Sequence, residues 1–337
     1  MSAHFGLAKR AVRWQHVAMR KLAPYALAFS AALLIGADAP PKLPQMAANL
    51  RAKTYPKSPA QIVSEAPPAE WQMIDPADLL VMELAADAKG QPRHVIIQLM
   101  PAPFSQGWVG NMRKLASAHW WDGTSVYRVQ DNYVAQWGDG EGEDKSKAKP
   151  LPQGLAVVPE SEYSVTTKLR FDLALKNDIF AGQAGYIKGW PFASNPTSYA
   201  PIHCYGTIGV ARDLSPDTGT GAELYAIIGQ PARALDRNIA VVGRVIEGIS
   251  YLSSLPRGPA PMGVYTDLAM RTPIISLRLA SELPEVDRPK FQYLSTSSPT
   301  FAQYVAAIPS FTSPFFINPS GGADICAVRV PVRRVKL

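Results

Sequence analysis

The sequence is poor in the residue types that build metal centres and disulfide scaffolds. It has 2 cysteines and 5 histidines among 337 residues, whereas a small disulfide-stabilised fold needs many more cysteines. His4 and His16 precede the first apolar run, and the other three histidines show no metal-ligand spacing. We therefore expect no disulfide-dense fold, no zinc site and no cofactor.

Charged residues are also scarce, at 18%, whereas apolar residues make up 47% of the chain. This balance excludes a disordered chain and provides for a sizeable core. The chain lacks a Gly-x-Ser-x-Gly elbow, which argues against a serine hydrolase. Acidic residues separate Gly138, Gly140 and Gly142, and this argues against a phosphate-binding loop.

The net charge of +7 is unevenly distributed along the chain. Residues 1–57 hold nine Lys or Arg and one acid, and the last nine residues hold four basic residues and no acid. The body of the protein, residues 58–328, therefore carries a net charge of −5. A basic chain can indicate a nucleic-acid partner, but the acidic body argues against one here.

The N-terminus has the order of features that is typical of a secretory signal peptide. Five basic residues precede a 15-residue apolar run at 23–37, and the small residues Ala37 and Ala39 follow in an A-x-A pattern. The run is short for a membrane span. We predict a signal peptide over residues 1–39, a periplasmic protein, and no stable membrane insertion after cleavage. The alternative is an uncleaved N-terminus that anchors the protein in the membrane.

The rest of the chain predicts a mainly β fold. Residues 40–70 are rich in Pro and Ala and predict an extended linker, with folded structure beginning near Trp71. Apolar and β-rich runs predict strands, and helical spacing predicts helices over 101–119 and 247–255. The strand runs are 78–84, 94–100, two within 121–140, 205–211, 223–228, 239–245 and 272–279. Because crossover helices do not alternate with these strands, we predict a closed antiparallel barrel capped by two helices.

Six segments over residues 78–281 form an ordered set of motifs. The clearest runs from Trp121-Asp122-Gly123 through VYRV at 126–129 to YVAQWGD at 133–139. This segment resembles the cyclophilin-type peptidyl-prolyl isomerases, which typically have Tyr-Asp-Gly, Phe-His-Arg-Val and Phe-Met-x-Gln-Gly-Gly-Asp in these places. The other matches are Asn111 with Leu115, Ala211 with 216–218, 223–225, Leu235-Asp236, and 242–245 with Glu247-Gly248.

The resemblance implies an eight-stranded cyclophilin-like barrel that isomerises X-Pro bonds of exported polypeptides. It places Arg128 as the catalytic residue and implies that proline-containing polypeptides are the partners. The implied substrate-binding residues are Tyr133, Val134, Gln136, Ala211, Arg212, Glu223, Tyr225 and Leu235. We expect the protein to act as a monomer.

Several positions depart from the family pattern. Arg212 replaces Asn, Glu223 replaces Gln, and Trp137 replaces a Gly. Ala234 and Ile239 stand where many members have an aromatic residue and His. The loss of the aromatic residue and of the His would open one wall of the proline pocket, and Arg212 would form a charge pair with Glu223 if the two meet. The alternative function is therefore a weak or inactive module that binds proline-containing segments.

Two segments lie outside the family pattern. Residues 141–204 predict an insertion beside the groove, with a β-like run at 163–175. Residues 282–337 are too apolar for a solvated tail, so we expect a C-terminal extension that packs on the barrel and holds a short helix at 301–307. Cys204 and Cys326 either pair as a disulfide between the extension and the barrel or are two small buried side chains.

Overall fold

The computed structural model describes residues 55–175 and 178–335. The predicted signal peptide at 1–39 and the first part of the predicted linker lie outside these residues. Among the described helices, none is both long and apolar enough to cross a membrane.

The described part of the chain contains four α-helices and fifteen strands. The helices are α1 (Pro59–Ser64), α2 (Gln106–Ser117), α3 (Ile249–Ser253) and α4 (Pro299–Ser310). The first strands are β1 (Trp71–Met73), β2 (Leu79–Leu84), β3 (Arg93–Leu99), β4 (Ser125–Val129) and β5 (Val134–Gly138). They are followed by β6 (Leu173–Leu175), β7 (Gln183–Ile187), β8 (Trp190–Ser194), β9 (Tyr199–Pro201) and β10 (Thr207–Val210). The last are β11 (Leu224–Ile227), β12 (Val241–Glu247), β13 (Thr272–Leu279), β14 (Phe291–Leu294) and β15 (Val332–Arg334).

Eight antiparallel strands close into a barrel, in the order β10-β11-β5-β4-β13-β2-β3-β12, and β12 pairs back onto β10. The prediction of a closed eight-stranded antiparallel barrel is confirmed. Alternate residues of β5 and β11 point in opposite directions, as strand geometry requires. Ala135, Trp137, Leu224 and Ala226 join the barrel core, and Val134 belongs to a separate cluster on the outer face.

Two of the helices contribute to the barrel core. Helix α2 buries Trp108, Met112 and Leu115 in it, and α3 buries Leu252. The side chain of Asn111, which is 1% exposed, also fixes the insertion to α2. Its amide donates to the carbonyl oxygens of Ala156 and Thr220 and accepts from the Ala156 N–H.

The prediction that folded structure begins near Trp71 is wrong. Helix α1 lies within the predicted linker and packs beside α4, and Ala66 is buried in the same cluster as Phe301. The helix forms because Ser58 and Gln61 make a capping box, with each side chain accepting from the other's backbone N–H.

The insertion differs from its predicted form. Within the β-like run at 163–175, only β6 is a strand. The first residue of the run, Tyr163, is the last residue of a 3₁₀ turn at Glu160–Tyr163. The insertion instead builds a four-stranded antiparallel sheet in the order β6-β7-β8-β9. Tyr163 stacks on Trp108 of α2, with ring centroids 5.3 Å apart, so this segment covers the helix.

The C-terminal segment contacts both the barrel and the insertion. Strand β14 pairs with β1 and β15, and Phe291 packs against Leu79 and Ile96 of the barrel strands. Phe301 of α4 meets Tyr186 of the insertion sheet edge to face, at 5.0 Å. A disulfide joins Cys204 to Cys326.

Candidate functional site

A row of residues crosses four neighbouring barrel strands on the outer face. Arg128 lies opposite Gln136, Gln136 opposite Tyr225, and Tyr225 opposite Gly209. Directly opposed residues of antiparallel strands lie side by side on one face. The strand pairing therefore brings together Arg128, Gln136 and Tyr225, which the family resemblance had placed in the site.

A bulge in β4 sets the direction of Arg128. Val126 and Val129 both lie in the barrel core although they are three residues apart, and the strand register shifts between Val126 and Arg128. A bulge inserts one extra residue and re-aims the side chains next to it. Tyr127 and Arg128 consequently both lie outside the core, where each contacts Gln136.

An apolar cluster forms at the Tyr225 end of this row. It contains Val134, Tyr225 and Ile227, which are buried, and it is bordered by partly buried residues. The bordering residues are Tyr133, Ala211, Ala232, Leu235 and Ile239. Five of the expected substrate-binding residues thus meet in one place. Ile227 and Ala232 also belong to the cluster, and the sequence analysis did not identify them.

Three hydrogen bonds hold the Arg128 guanidinium in place. Its Nε donates to the Met262 carbonyl oxygen at 2.7 Å, Nη1 to Gln136 Oε1 at 2.9 Å and Nη2 to Gln130 Oε1 at 2.5 Å. An arginine has five N–H donors. The remaining two have no partner among the residues that the structure describes, while the other three hold the group in place.

Gln136 connects Arg128 to a buried acid. Its amide donates to the Tyr127 hydroxyl, which donates to Glu223 Oε2 at 2.8 Å, and Glu223 Oε1 accepts from the Asp139 N–H at 2.7 Å. Burial, and to a smaller extent the carboxylates of Asp139 and Glu143, raise the pKa of Glu223 to about 7. Burial raises the pKa of Tyr127 as well, so the phenol keeps its proton and remains a donor.

The structure does not bring Arg212 to Glu223, so the condition for a charge pair between them is not met among the described residues. Arg212 Nη1 donates to the Asp213 carbonyl and Nη2 to the Asn238 carbonyl. Glu223 instead bonds Tyr127 and the Asp139 backbone.

A buried chain of hydrogen-bonded polar groups contacts the Tyr225 hydroxyl. The sequence analysis did not predict this chain. The Tyr225 hydroxyl lies 3.1 Å from His203 Nε2, and His203 Nδ1 lies 3.0 Å from Asp236 Oδ1. Arg233 bonds Asp236 Oδ2 and both carboxylate oxygens of Asp178. Burial raises the pKa of Tyr225 well above its usual value, so the hydroxyl keeps its proton beside His203. The chain fixes the Tyr225 side chain beside the apolar cluster, and the 22-residue separation of His203 and Tyr225 gave no sequence signal.

A cleft of about 480 Å³ lies on the other side of Gln136. Arg128, Gln136 and Glu223 line it, together with Glu143 and Lys149 from the insertion. The insertion therefore lies next to the candidate site. No group of three or more acidic, His or Cys side chains within the described residues is arranged to hold a metal ion.

The comparisons with known proteins agree with this geometry. The sequence pattern of the cyclophilin type peptidyl-prolyl cis-trans isomerase/CLD family matches residues 96–274, more than half of the chain. The chain belongs to this family. No match was found among curated protein sequences.

Solved structures of similar fold include cyclophilin AquaCyp293 from Hirschia baltica. It is 21% identical to this chain with a TM-score of 0.59, and the match covers 83% of this chain and 98% of that one. A cyclophilin type peptidyl-prolyl cis-trans isomerase from Cryptosporidium parvum, in the presence of the dipeptide Ala-Pro, is 10% identical with a TM-score of 0.34. That match covers 59% of this chain and 98% of the other.

Proposed function

We propose that this protein is an exported peptidyl-prolyl cis-trans isomerase that acts on X-Pro bonds of exported polypeptides and so assists their folding. The observation that carries the proposal is the arrangement around Arg128. A fixed guanidinium with two available N–H donors lies in the same row as Tyr225 of the apolar cluster.

The chemistry needs a pocket for the proline ring and a donor for the twisted amide. Rotation about the peptide bond has a barrier of about 18–20 kcal/mol, because delocalisation gives the C–N bond partial double-bond character. In the twisted state the prolyl nitrogen regains its lone pair and becomes a better acceptor. A guanidinium that is fixed beforehand can donate to it, and such prior positioning is effective electrostatic catalysis. Val134, Tyr225 and Leu235 provide the apolar surface for the ring.

Export is supported by the basic and apolar leader at residues 1–39 and by the pairing of both cysteines. Disulfides persist in oxidising compartments such as the periplasm. We therefore propose a periplasmic location, with an uncleaved membrane anchor as the alternative.

A module that binds proline-containing segments without isomerising them is the second candidate. Ala234 favours it, because this exposed small residue directly precedes Leu235 of the apolar cluster and stands where many family members have a large aromatic residue. A shorter pocket wall would hold the proline ring less firmly during rotation.

A proline-peptide isomerisation assay with wild type and Arg128→Ala tests the first candidate. Loss of a transition-state donor should lower kcat/KM about 100-fold, as for other fixed donors. Arg288→Ala is the matched control, since this guanidinium also donates to a backbone carbonyl, that of Leu283, but lies outside the cleft. We expect Arg288→Ala to keep the wild-type rate.

Peptide binding separates the two candidates. If wild type and Arg128→Ala both isomerise at the uncatalysed rate while the wild type still binds a proline peptide, the enzyme proposal fails and the binding module is supported. Circular dichroism of each variant checks that the barrel is intact.

A further inference from the structure

A second cavity lies away from the Arg128 row, between the barrel, the insertion and the C-terminal segment. Its volume is about 340 Å³, within the range of roughly 300–1,000 Å³ that is usual for small-molecule pockets. Ile202, Val245, Val328 and Val332 are among the apolar side chains that line it. The Cys204–Cys326 disulfide forms part of the wall, so the cavity is held on one side by a covalent link.

The cavity has a strongly one-sided charge. Arg244 and Arg329 line it, and no Asp or Glu among the described residues does so. Arg329 is exposed and lies over the Tyr205 ring, at 4.9 Å from its centroid. Arg244 is mostly enclosed, and its guanidinium stacks on Trp190 at 4.3 Å. A positive potential without an acid in the lining favours an anion in this cavity.

Arg244 donates hydrogen bonds only to neutral groups, and not all of its N–H groups have an acceptor among the described residues. Nε and Nη2 donate to Gln98 Oε1 at 3.0 and 2.7 Å, and Nη1 donates to the Gly189 carbonyl at 2.7 Å. Two of its five N–H groups therefore lack a partner among the described residues. Burial lowers the pKa of Arg244 to about 10, so the group is still a cation at neutral pH. A cation in such surroundings is costly unless an anion accompanies it.

We propose that this cavity binds a small apolar molecule that carries a carboxylate. The carboxylate accepts hydrogen bonds from Arg244, a geometry for which arginine is well suited, and the apolar part lies against Ile202, Val328 and Val332. Arg329 attracts the anion to the opening. This site is separate from the Arg128 row and does not depend on isomerase activity.

Calorimetric titration of the full chain with decanoate tests the proposal, with 1-decanol as the uncharged probe of equal chain length. We expect one saturable decanoate site, with decanol weaker by about 10- to 100-fold, since a hydrogen bond to a charged group contributes about 1.5–3 kcal/mol. Arg244→Gln should weaken decanoate by the same factor and leave decanol binding unchanged.

Two further variants keep the test decisive. Val332 is a half-buried residue on a short strand, and the larger side chain of Val332→Phe should fill the cavity and abolish decanoate binding. This variant tests the site independently of whether Arg244→Gln folds. Arg170→Gln removes an exposed charge outside the cavity and should bind decanoate like wild type. Equal affinity for decanoate and decanol, retained binding in Val332→Phe, or equal losses in Arg170→Gln and Arg244→Gln would overturn the proposal.

Discussion

Glu223 places an ionisable carboxyl in the candidate site, at a position where the family usually has the neutral side chain of Gln. Its carboxyl is enclosed between the Tyr127 hydroxyl and the Asp139 N–H. Gly138 makes room for it, because a Cβ at that position would lie 2.2 Å from Glu223 Oε2. The family's usual Gln would make similar contacts without an ionisable group.

We predict that Glu223 makes stability depend on pH. Its pKa is 4.5 when unperturbed and about 7 in the folded protein. The folded state thus holds the proton more tightly, and the stability this provides is complete below pH 4.5 and is lost as pH rises through about 7. Glu223→Gln should therefore be more stable than wild type at pH 8, by up to about 3 kcal/mol, and the difference should shrink towards pH 4.5.

Urea unfolding of both proteins between pH 4.5 and 8 measures this difference. Comparing the two removes the contributions of all other titrating groups. A difference that stays constant across the range would mean that Glu223 titrates near its ordinary pKa.

At the level of strands, the apolar cluster around Tyr225 depends on a glycine opposite that residue. Gly209 on β10 faces Tyr225 on β11, and a Cβ at Gly209 would lie 2.2 Å from Cζ and 2.3 Å from Oη of that ring. The absence of a side chain on one strand thus allows a large side chain to lie over it from the next. The position also lets the hydroxyl reach His203.

Gly209→Ala should displace the Tyr225 ring and break its hydrogen bond to His203. We expect a loss of roughly 1–3 kcal/mol in the free energy of unfolding, which is usual for overpacking, and weaker binding of proline peptides. Gly110→Ala is the control, because Gly110 lies within α2 with open space around it. Alanine should stabilise that helix by roughly 0.5–1 kcal/mol. Equal effects of the two substitutions in urea unfolding would contradict this account.

For the whole molecule, the disulfide connects parts of the chain that are distant in sequence. Cys204 and Cys326 are 122 residues apart, and they join the end of the insertion to the C-terminal segment. A cross-link over a long loop restricts the unfolded chain most strongly. The link also closes one side of the cavity that contains Arg244.

Reduction of the disulfide should lower the free energy of unfolding by about 2–5 kcal/mol. Denaturant unfolding with and without a thiol reductant measures the loss. The double variant Cys204→Ser/Cys326→Ser should have the stability of the reduced wild type and should not respond to the reductant. A wild type that is equally stable in both conditions would show that the link contributes nothing.

The sequence by itself determined the barrel and the positions of its functional strands. Short apolar, β-rich runs and the turn signals between them predicted each of the eight barrel strands, because a strand of a closed barrel must bury side chains in the core. The family motifs then gave Arg128, Gln136 and Tyr225 their expected places. Helix α1 was also within reach, since Ser58 and Gln61 form a capping box that is visible in the sequence.

Only the tertiary structure decided what surrounds these residues. Arg128 is held by the backbone carbonyl of Met262, and every residue type has such a carbonyl. The residue type at position 262 therefore could not predict this contact. His203 meets Tyr225 through strand placement, and Arg244 is enclosed by the insertion and the C-terminal segment. Periodicity records which face of a strand is buried. It does not record which distant segment covers that face, because this choice depends on packing between parts of the chain that are far apart in sequence.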